Sequence, residues 1–178
     1  MDGSENTIIN HFDLENGTNS SVFSNCDFVE KTKNVYFLAD NEITVYRINL
    51  ETKKIEKILE FERLWEFYVS PDENDLLYLN FDEITRSVRY KINKFNIQTN
   101  EDVTVFQNDS LSCFYANWSP DSKKIAFSVD NVYTSDIKSF IMDRDGSNLK
   151  EIFIDKSLYP DTEIPDIIRY PEILIEKF

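Results

Sequence analysis

Short runs of alternating apolar and polar side chains fill most of this chain, and each run stops at an abrupt polar knot. A period of two is the signature of strands, because successive side chains leave a strand on opposite faces. β-branched and aromatic residues dominate the runs, and no sustained 3.6-residue stripe competes with a strand reading. The pattern predicts strand pairs at Asn25 to Val29 with Val35 to Leu38, at Leu64 to Val69 with Leu76 to Leu79, and at Phe114 to Trp118 with Ile125 to Val129.

The knots carry their own chemistry. Ser70-Pro71-Asp72 and Ser119-Pro120-Asp121 occupy the same place in two of these pairs. Proline presets φ for the second position of a type I turn, while the flanking Ser and Asp can bond local backbone, so each knot reverses one strand into the next. The pair before them uses the polar but proline-free Glu30-Lys31-Thr32-Lys33-Asn34.

A second kind of hairpin follows each pair. Phe12 to Gly17, Ile48 to Lys53, Phe95 to Asn100 and Phe140 to Gly146 are short strands ending in turn signals, and another strand follows each of them. Asn16-Gly17 and Asp145-Gly146 are read as turns whose two central residues both take positive φ. The leading residues Phe12, Ile48, Phe95 and Phe140 lie 36, 47 and 45 residues apart, a period that marks a repeated supersecondary unit.

The repeat defines the fold class: all-β, a β-propeller of four-stranded antiparallel blades. A β-sandwich has strands at this spacing but no reason to repeat a four-strand pattern. Residues 1–24 read as the second half of a blade, 25–62, 63–109 and 110–156 as blades, and 157–178 as a tail, within one domain overall. The tail holds two apolar runs about Tyr170-Pro171-Glu172, with a turn shorter than that at Pro120. It can supply the first two strands of the terminal blade, giving a small four-bladed ring closed by clasped termini. The alternative is an arc of a larger propeller, closing with other blades or a second copy.

Composition narrows the function. With 178 residues and 41% hydrophobic side chains the chain can bury a core, and a formal charge of -14 repels phosphate backbones and anionic lipid. Nucleic acid and membrane insertion are therefore not expected. The polar, acidic first residues form no secretion signal, so a cytoplasmic setting is the default, and a periplasmic or secreted one applies to a processed form. Cys26 and Cys113 are too few for a disulfide framework and are expected to pack as small apolar residues.

Catalytic signals are weak. His11 is the only histidine, no Gly-x-Ser-x-Gly elbow occurs, and three glycines leave little room for a phosphate cradle. Asp143-Arg144-Asp145-Gly146-Ser147-Asn148 lacks the third alternating oxygen and the closing glutamate of a calcium loop, so a turn is expected and neither metal nor cofactor. Trp65 and Trp118 are read as equivalent inter-blade packing residues. In a four-strand meander, the connections between strands two and three share one face with the blade-to-blade links. Asn80 to Arg89 and Asp130 to Asp136 are long there, against only Asp40-Asn41-Glu42 in the first blade. Uneven loops on a rigid scaffold are where repeat proteins place recognition. Asp82, Arg86, Arg89, Tyr133 and Asp136 are the candidate surface for a protein or peptide partner.

Trp118 to Ser128, followed by Ile141 to Leu149, resembles the repeat of TolB-type β-propellers, which runs Trp-Ser-Pro-Asp-Gly-x-x-Ile-Ala-Phe and then a strand ending Asp-x-Asp-Gly. The second repeat keeps Ser70-Pro71-Asp72, with Val69 for the tryptophan and Thr99-Asn100 for Asp-Gly. The resemblance covers roughly residues 64 to 154 and implies a rigid scaffold, usually a six-bladed ring. Such propellers bind partner proteins or cap dipeptidyl-peptidase and prolyl-oligopeptidase-type hydrolases. A non-catalytic scaffold is the leading expectation, and a hydrolase propeller fragment that gates substrate the alternative. An open ring also allows a homo-oligomer.

Overall fold

The computed structural model describes residues 24–39, 44–61, 64, 66–81, 90–108, 110–131 and 137–152. These form twelve strands in three antiparallel four-stranded sheets, each a simple meander. Blade 1 is β1 (Ser24–Val29), β2 (Asn34–Ala39), β3 (Thr44–Asn49) and β4 (Ile55–Glu60); blade 2 is β5 (Glu66–Val69), β6 (Asp75–Phe81), β7 (Tyr90–Asn96) and β8 (Asp102–Phe106). Blade 3 is β9 (Leu111–Trp118), β10 (Lys124–Asn131), β11 (Ile137–Asp143) and β12 (Lys150–Ile152). The chain divides into two compact units, residues 1–62 with blade 1 and residues 63–178 with blades 2 and 3. The terminal segments invoked for the clasp, 1–23 and 157–178, lie outside the described residues, as do His11, Trp65 and the Asn16-Gly17 turn.

The Ser-Pro-Asp knots reverse the chain as their chemistry requires. Ser119 O accepts from the Ser122 amide (2.8 Å), and Ser119 Oγ accepts from the Lys124 amide (2.9 Å) while donating to Asp121 Oδ1 (2.7 Å). Blade 2 repeats each bond. Ser70 O accepts from Glu73, and Ser70 Oγ accepts from Asp75 and donates to Asp72. One serine hydroxyl thus ties both ends of the turn, which is why the serine and aspartate flank the proline. The residue closing each first turn takes positive φ: Lys33 (57°), Glu73 (55°) and Ser122 (60°). Two of these stand where the TolB-type repeat has its glycine.

The second turns of blades 1 and 2 are asparagine-capped. Asn49 Oδ1 accepts from the Glu51 and Thr52 amides and the Thr52 hydroxyl, and Asn96 Oδ1 accepts from Gln98 and Thr99 in the same way. Each side chain satisfies backbone donors that the turn leaves free. In every blade the second turn is pinned to the first by one backbone bond of 2.9 Å, from Leu50, Ile97 and Arg144 to Lys33, Asn74 and Lys123. Those donors are spaced 47 and 47 residues apart, so the counterpart of Ile48 and Phe95 in blade 3 is Met142. The alignment on Phe140 was two residues out, a slip that preserves facing because the strand period is two.

The Asp145-Gly146 turn also differs from expectation. Only Gly146 takes positive φ (86°), and its amide donates to Asp143 O (2.8 Å). It is therefore a turn followed by a left-handed glycine rather than one with two such residues. A bulge in β9, where Tyr115 has φ 52°, breaks the alternation so that Cys113, Ala116 and Trp118 all enter one core. That core joins Leu77, Leu79 and Ile92 of blade 2 to Ile125, Phe127, Val129 and Met142 of blade 3. Blade 1 has its own cluster of Phe37, Ala39, Tyr46 and Ile48. Cys113 is buried as expected, but Cys26 is exposed, because its part of β1 is uncovered.

The left-handed positions make a paired prediction. Lys53 (φ 60°) is exposed and corresponds to Asn100 (φ 59°). Lys53→Asn should raise unfolding stability by about 0.5 kcal/mol, since asparagine tolerates this conformation. A Cβ on Gly146 would lie 2.6 Å from the Val105 carbonyl oxygen of blade 2, so Gly146→Ala should destabilise by at least 2 kcal/mol or so. Urea denaturation of both variants would show opposite signs.

Candidate functional site

All five sequence-predicted surface residues, Asp82, Arg86, Arg89, Tyr133 and Asp136, lie outside the described residues. The connections that carry them are bounded by described strands. Residues 82–89 join β6 to β7 and 132–136 join β10 to β11, against 40–43 between β2 and β3.

The best-defined polar site is at the opposite end of the meanders, where the short turns of blades 2 and 3 meet. Arg144, second in the β11–β12 turn, crosses to blade 2. Its Nε donates to Asp75 Oδ2 (2.7 Å), its Nη1 to Asp72 Oδ2 (2.6 Å) and its Nη2 to Asp72 Oδ1 (3.3 Å). Asp75 is 2% exposed, and its other oxygen accepts from Asn96 Nδ2 (2.8 Å). Lys94 Nζ stands 3.8 Å from Asp75 Oδ2 and donates to Arg144 O (3.2 Å). The buried carboxylate is therefore compensated from three sides, as burial of a charge demands.

Two more groups lock the seam. Ser122 Oγ accepts the Asp72 amide (3.0 Å), which accounts for a serine rather than glycine at this left-handed position: it exchanges some backbone strain for a bond across the seam. Trp118 Nε1 donates to Tyr68 O (3.1 Å), and the Arg144 guanidinium lies 5.4 Å from the Trp118 ring centroid. Trp118 is thus an inter-blade residue as read. Its counterpart is Val69, which also precedes the turn serine; Trp65 lies four positions earlier and is not its equivalent.

Burial alone would raise the Asp72 pKa, but bonds from the Arg144 guanidinium, the Ser70 hydroxyl and the Asn74 amide outweigh it and hold the carboxyl well below the usual range. Burial likewise opposes the charge on Arg144, and its bonds to Asp72 and Asp75 more than offset this. Asp143 is engaged by Asn148 Nδ2 (2.6 Å) and Lys124 Nζ (2.7 Å), and Asp145 by the Ser147 amide (2.9 Å), the bonds of a closed turn. Among the described residues no group of His, Cys, Asp and Glu is placed to hold a metal ion.

Beside the seam lies an open cleft of ≈ 350 Å³, walled by Asn74, Asn96, Glu101 and Val103 together with these charged groups. Sequence reading missed the site because Arg144 looks like a turn residue. Alignment on the repeat exposes it, since the same position holds Leu50 and Ile97.

These blades are those of a β-propeller, three of them among the described residues. Solved structures bear this out: TolB from Acinetobacter baumannii shares 16% identity with a TM-score of 0.59 over 75% of this chain and 33% of its own. The β-propeller domain of the Trilobed protease from Pyrococcus furiosus shares 13% with a TM-score of 0.56, covering 76% of this chain and 45% of that one. Dipeptidyl peptidase 4 from Porphyromonas gingivalis shares 15% with a TM-score of 0.57, covering 80% and 21%. The fold is that of a TolB-like propeller, and the chain spans about a third of the length of the Acinetobacter protein. No protein-family model matches the sequence, and a search of curated proteins finds no match.

Removing Arg144 strands a buried carboxylate. Arg144→Leu, the residue of the first repeat, should cost about 3 kcal/mol by urea denaturation, and Asp75→Asn in the same chain should recover part of the loss. Because the Asp72 pKa is depressed on folding, its contribution is complete above the unfolded value of about 4 and is lost as pH falls toward the folded value. Asp72→Asn should therefore cost about 1 kcal/mol at pH 7, with the gap to wild type closing progressively below about pH 4. A gap constant down to pH 2 would contradict the role of the ionised carboxylate.

Proposed function

We propose that this chain is a non-catalytic propeller scaffold that binds a protein or peptide through the connections between the second and third strands of its blades. The observation carrying this reading is the contrast between the two ends of the meanders. At one end every turn is short and pinned by the same backbone bond. At the other, connections of 4, 8 and 5 residues (40–43, 82–89, 132–136) leave strands of fixed register. Variable segments on a tied frame suit recognition, and Asp82, Arg86, Arg89, Tyr133 and Asp136 are the side chains offered for it. The formal charge of -14 favours a basic partner.

Propellers of peptidases among the structural neighbours support a second reading, a hydrolase segment that gates substrate. It requires a hydrolase domain in the same protein, and sequencing the parent gene tests it.

For the first reading, partners captured by the wild-type chain would be titrated against two variants. Asp82→Ala/Arg86→Ala/Arg89→Ala and Tyr133→Ala/Asp136→Ala should each weaken binding at least tenfold, while the turn-end control Asp145→Ala changes it less than twofold. Equal binding by both loop variants would remove the face from consideration.

A further inference from the structure

The walls of the cleft beside the seam differ in what they have left to offer a ligand. Asp75 is held by Arg144, Lys94 and Asn96. Asn74 Nδ2 donates to Asp72 Oδ2 (3.0 Å) while its Oδ1 accepts from Gln98 Nε2 (3.3 Å), and Asn96 Oδ1 is taken up by its own turn. Two wall groups are not spent in this way. The Glu101 carboxylate is exposed and has no hydrogen bond or ion pair among the described residues, and Val103 is 36% exposed.

Blade 1 fills the same three positions differently. Asn49 donates its amide to the Lys54 carbonyl as Asn96 does to that of Glu101, so Lys54 is the counterpart of Glu101. Register makes Glu56 the counterpart of Val103, and Arg47 that of Lys94. In blade 1 these groups neutralise one another: Glu56 accepts from Arg47 Nε (3.1 Å) and pairs with Lys54 Nζ (2.5 Å). In blade 2 the central acid is replaced by an apolar side chain and the outer base by an acid. Lys94 turns instead to Asp75 and the Arg144 carbonyl, which leaves Glu101 on the cleft wall with its charge unmet. Asp72, Asp75 and Glu101 stand against Arg144 and Lys94, so the unbalanced charge is negative.

We propose that this cleft binds an aliphatic cation, the lysine or arginine side chain of a partner peptide, with Glu101 taking the charge and Val103 the methylene stem. The volume of ≈ 350 Å³ exceeds that of one such side chain, and the formal charge of -14 draws basic peptides toward it. The site lies at the turn end of the meanders, opposite the connections assigned to recognition above, so the two stand or fall separately.

The test is a titration of the full chain, followed by amide chemical shifts at about 150 mM salt, where distant charges are screened. The probes are Nα-acetyl-lysine methylamide and Nα-acetyl-norleucine methylamide, which keeps the stem and lacks the charge. The lysine probe should shift the Glu101 and Val103 amides along a saturating curve in the millimolar range, and the norleucine probe should not. Glu101→Gln should weaken binding at least fivefold, and Val103→Lys, which sets a cation two residues from Glu101 as Lys54 stands from Glu56, should abolish saturation. Unchanged urea midpoints would show that both variants fold. Equal affinity in Glu101→Gln overturns the proposal, as does equal binding of the norleucine probe. So do shifts of the same size at the exposed Asp121 and Asp145, which would mean general attraction to the chain's charge. Loss of binding in Asp82→Ala/Arg86→Ala/Arg89→Ala would also overturn it, by moving the site to the loop face.

Discussion

The carboxylate of Asp75 sets the terms for the two-blade unit. Taken out of water at the start of β6, it is tolerable only while cations and amide donors surround it, and they come from both blades. Apolar burial between Leu77, Leu79, Ile92 and the facing residues of blade 3 supplies the non-directional attraction. That attraction would accept a range of offsets. The forked guanidinium on Asp72 and Asp75, the Ser122 hydroxyl on the Asp72 amide and the Trp118 indole on Tyr68 do not. Together they fix where one sheet stops against the other.

The frame was readable because its causes are local. Alternation marked the strands, and a serine that ties both ends of a turn leaves the Ser-Pro-Asp signature wherever it is used. The asparagine-capped turns were found for the same reason. What was not readable depends on partners distant in sequence. Arg144 acquires its role from carboxylates 72 and 69 positions earlier, and nothing in its own neighbourhood announces them. Cys26 was expected to be buried because its residue type usually is, yet exposure was decided by what lies over β1. The pairing of Trp65 with Trp118 failed because a shared residue type was given more weight than distance from the turn serine. The candidate recognition residues sit in connections whose neighbours in sequence say little about their conformation, so geometry adds their anchoring strands and no more.

The proposed function rests on this division of labour. One end of each meander is spent on internal bonds: turn to turn within a blade, and turn to turn across the seam. Side chains so engaged are poor candidates for recognising anything else, since releasing them would expose a buried charge. At the other end the connections differ in length from blade to blade. A rigid base and a variable rim are the requirements of a binding scaffold, and both come from one repeat unit.

The seam also determines what blade 3 can be followed by. Where blade 2 offers Leu77, Leu79 and Ile92 to its neighbour, the corresponding positions of blade 3 are Ala126, Ser128 and Ser139, the two serines sharing a hydroxyl contact of 3.2 Å. Where blade 2 offers Asp75 to an arginine, blade 3 has Lys124. A duplicate of blade 3 stacked on the original would meet small side chains in place of leucines, leaving voids, and its arginine would find Asp121 in the place of Asp72 but a lysine in the place of Asp75. Blade 3 therefore fits a copy of itself less well than blade 2 fits blade 3. Repeats that look interchangeable in sequence are polarised, and an unlimited stack of copies, the hazard of any modular sheet protein, is disfavoured by chemistry written into the third unit.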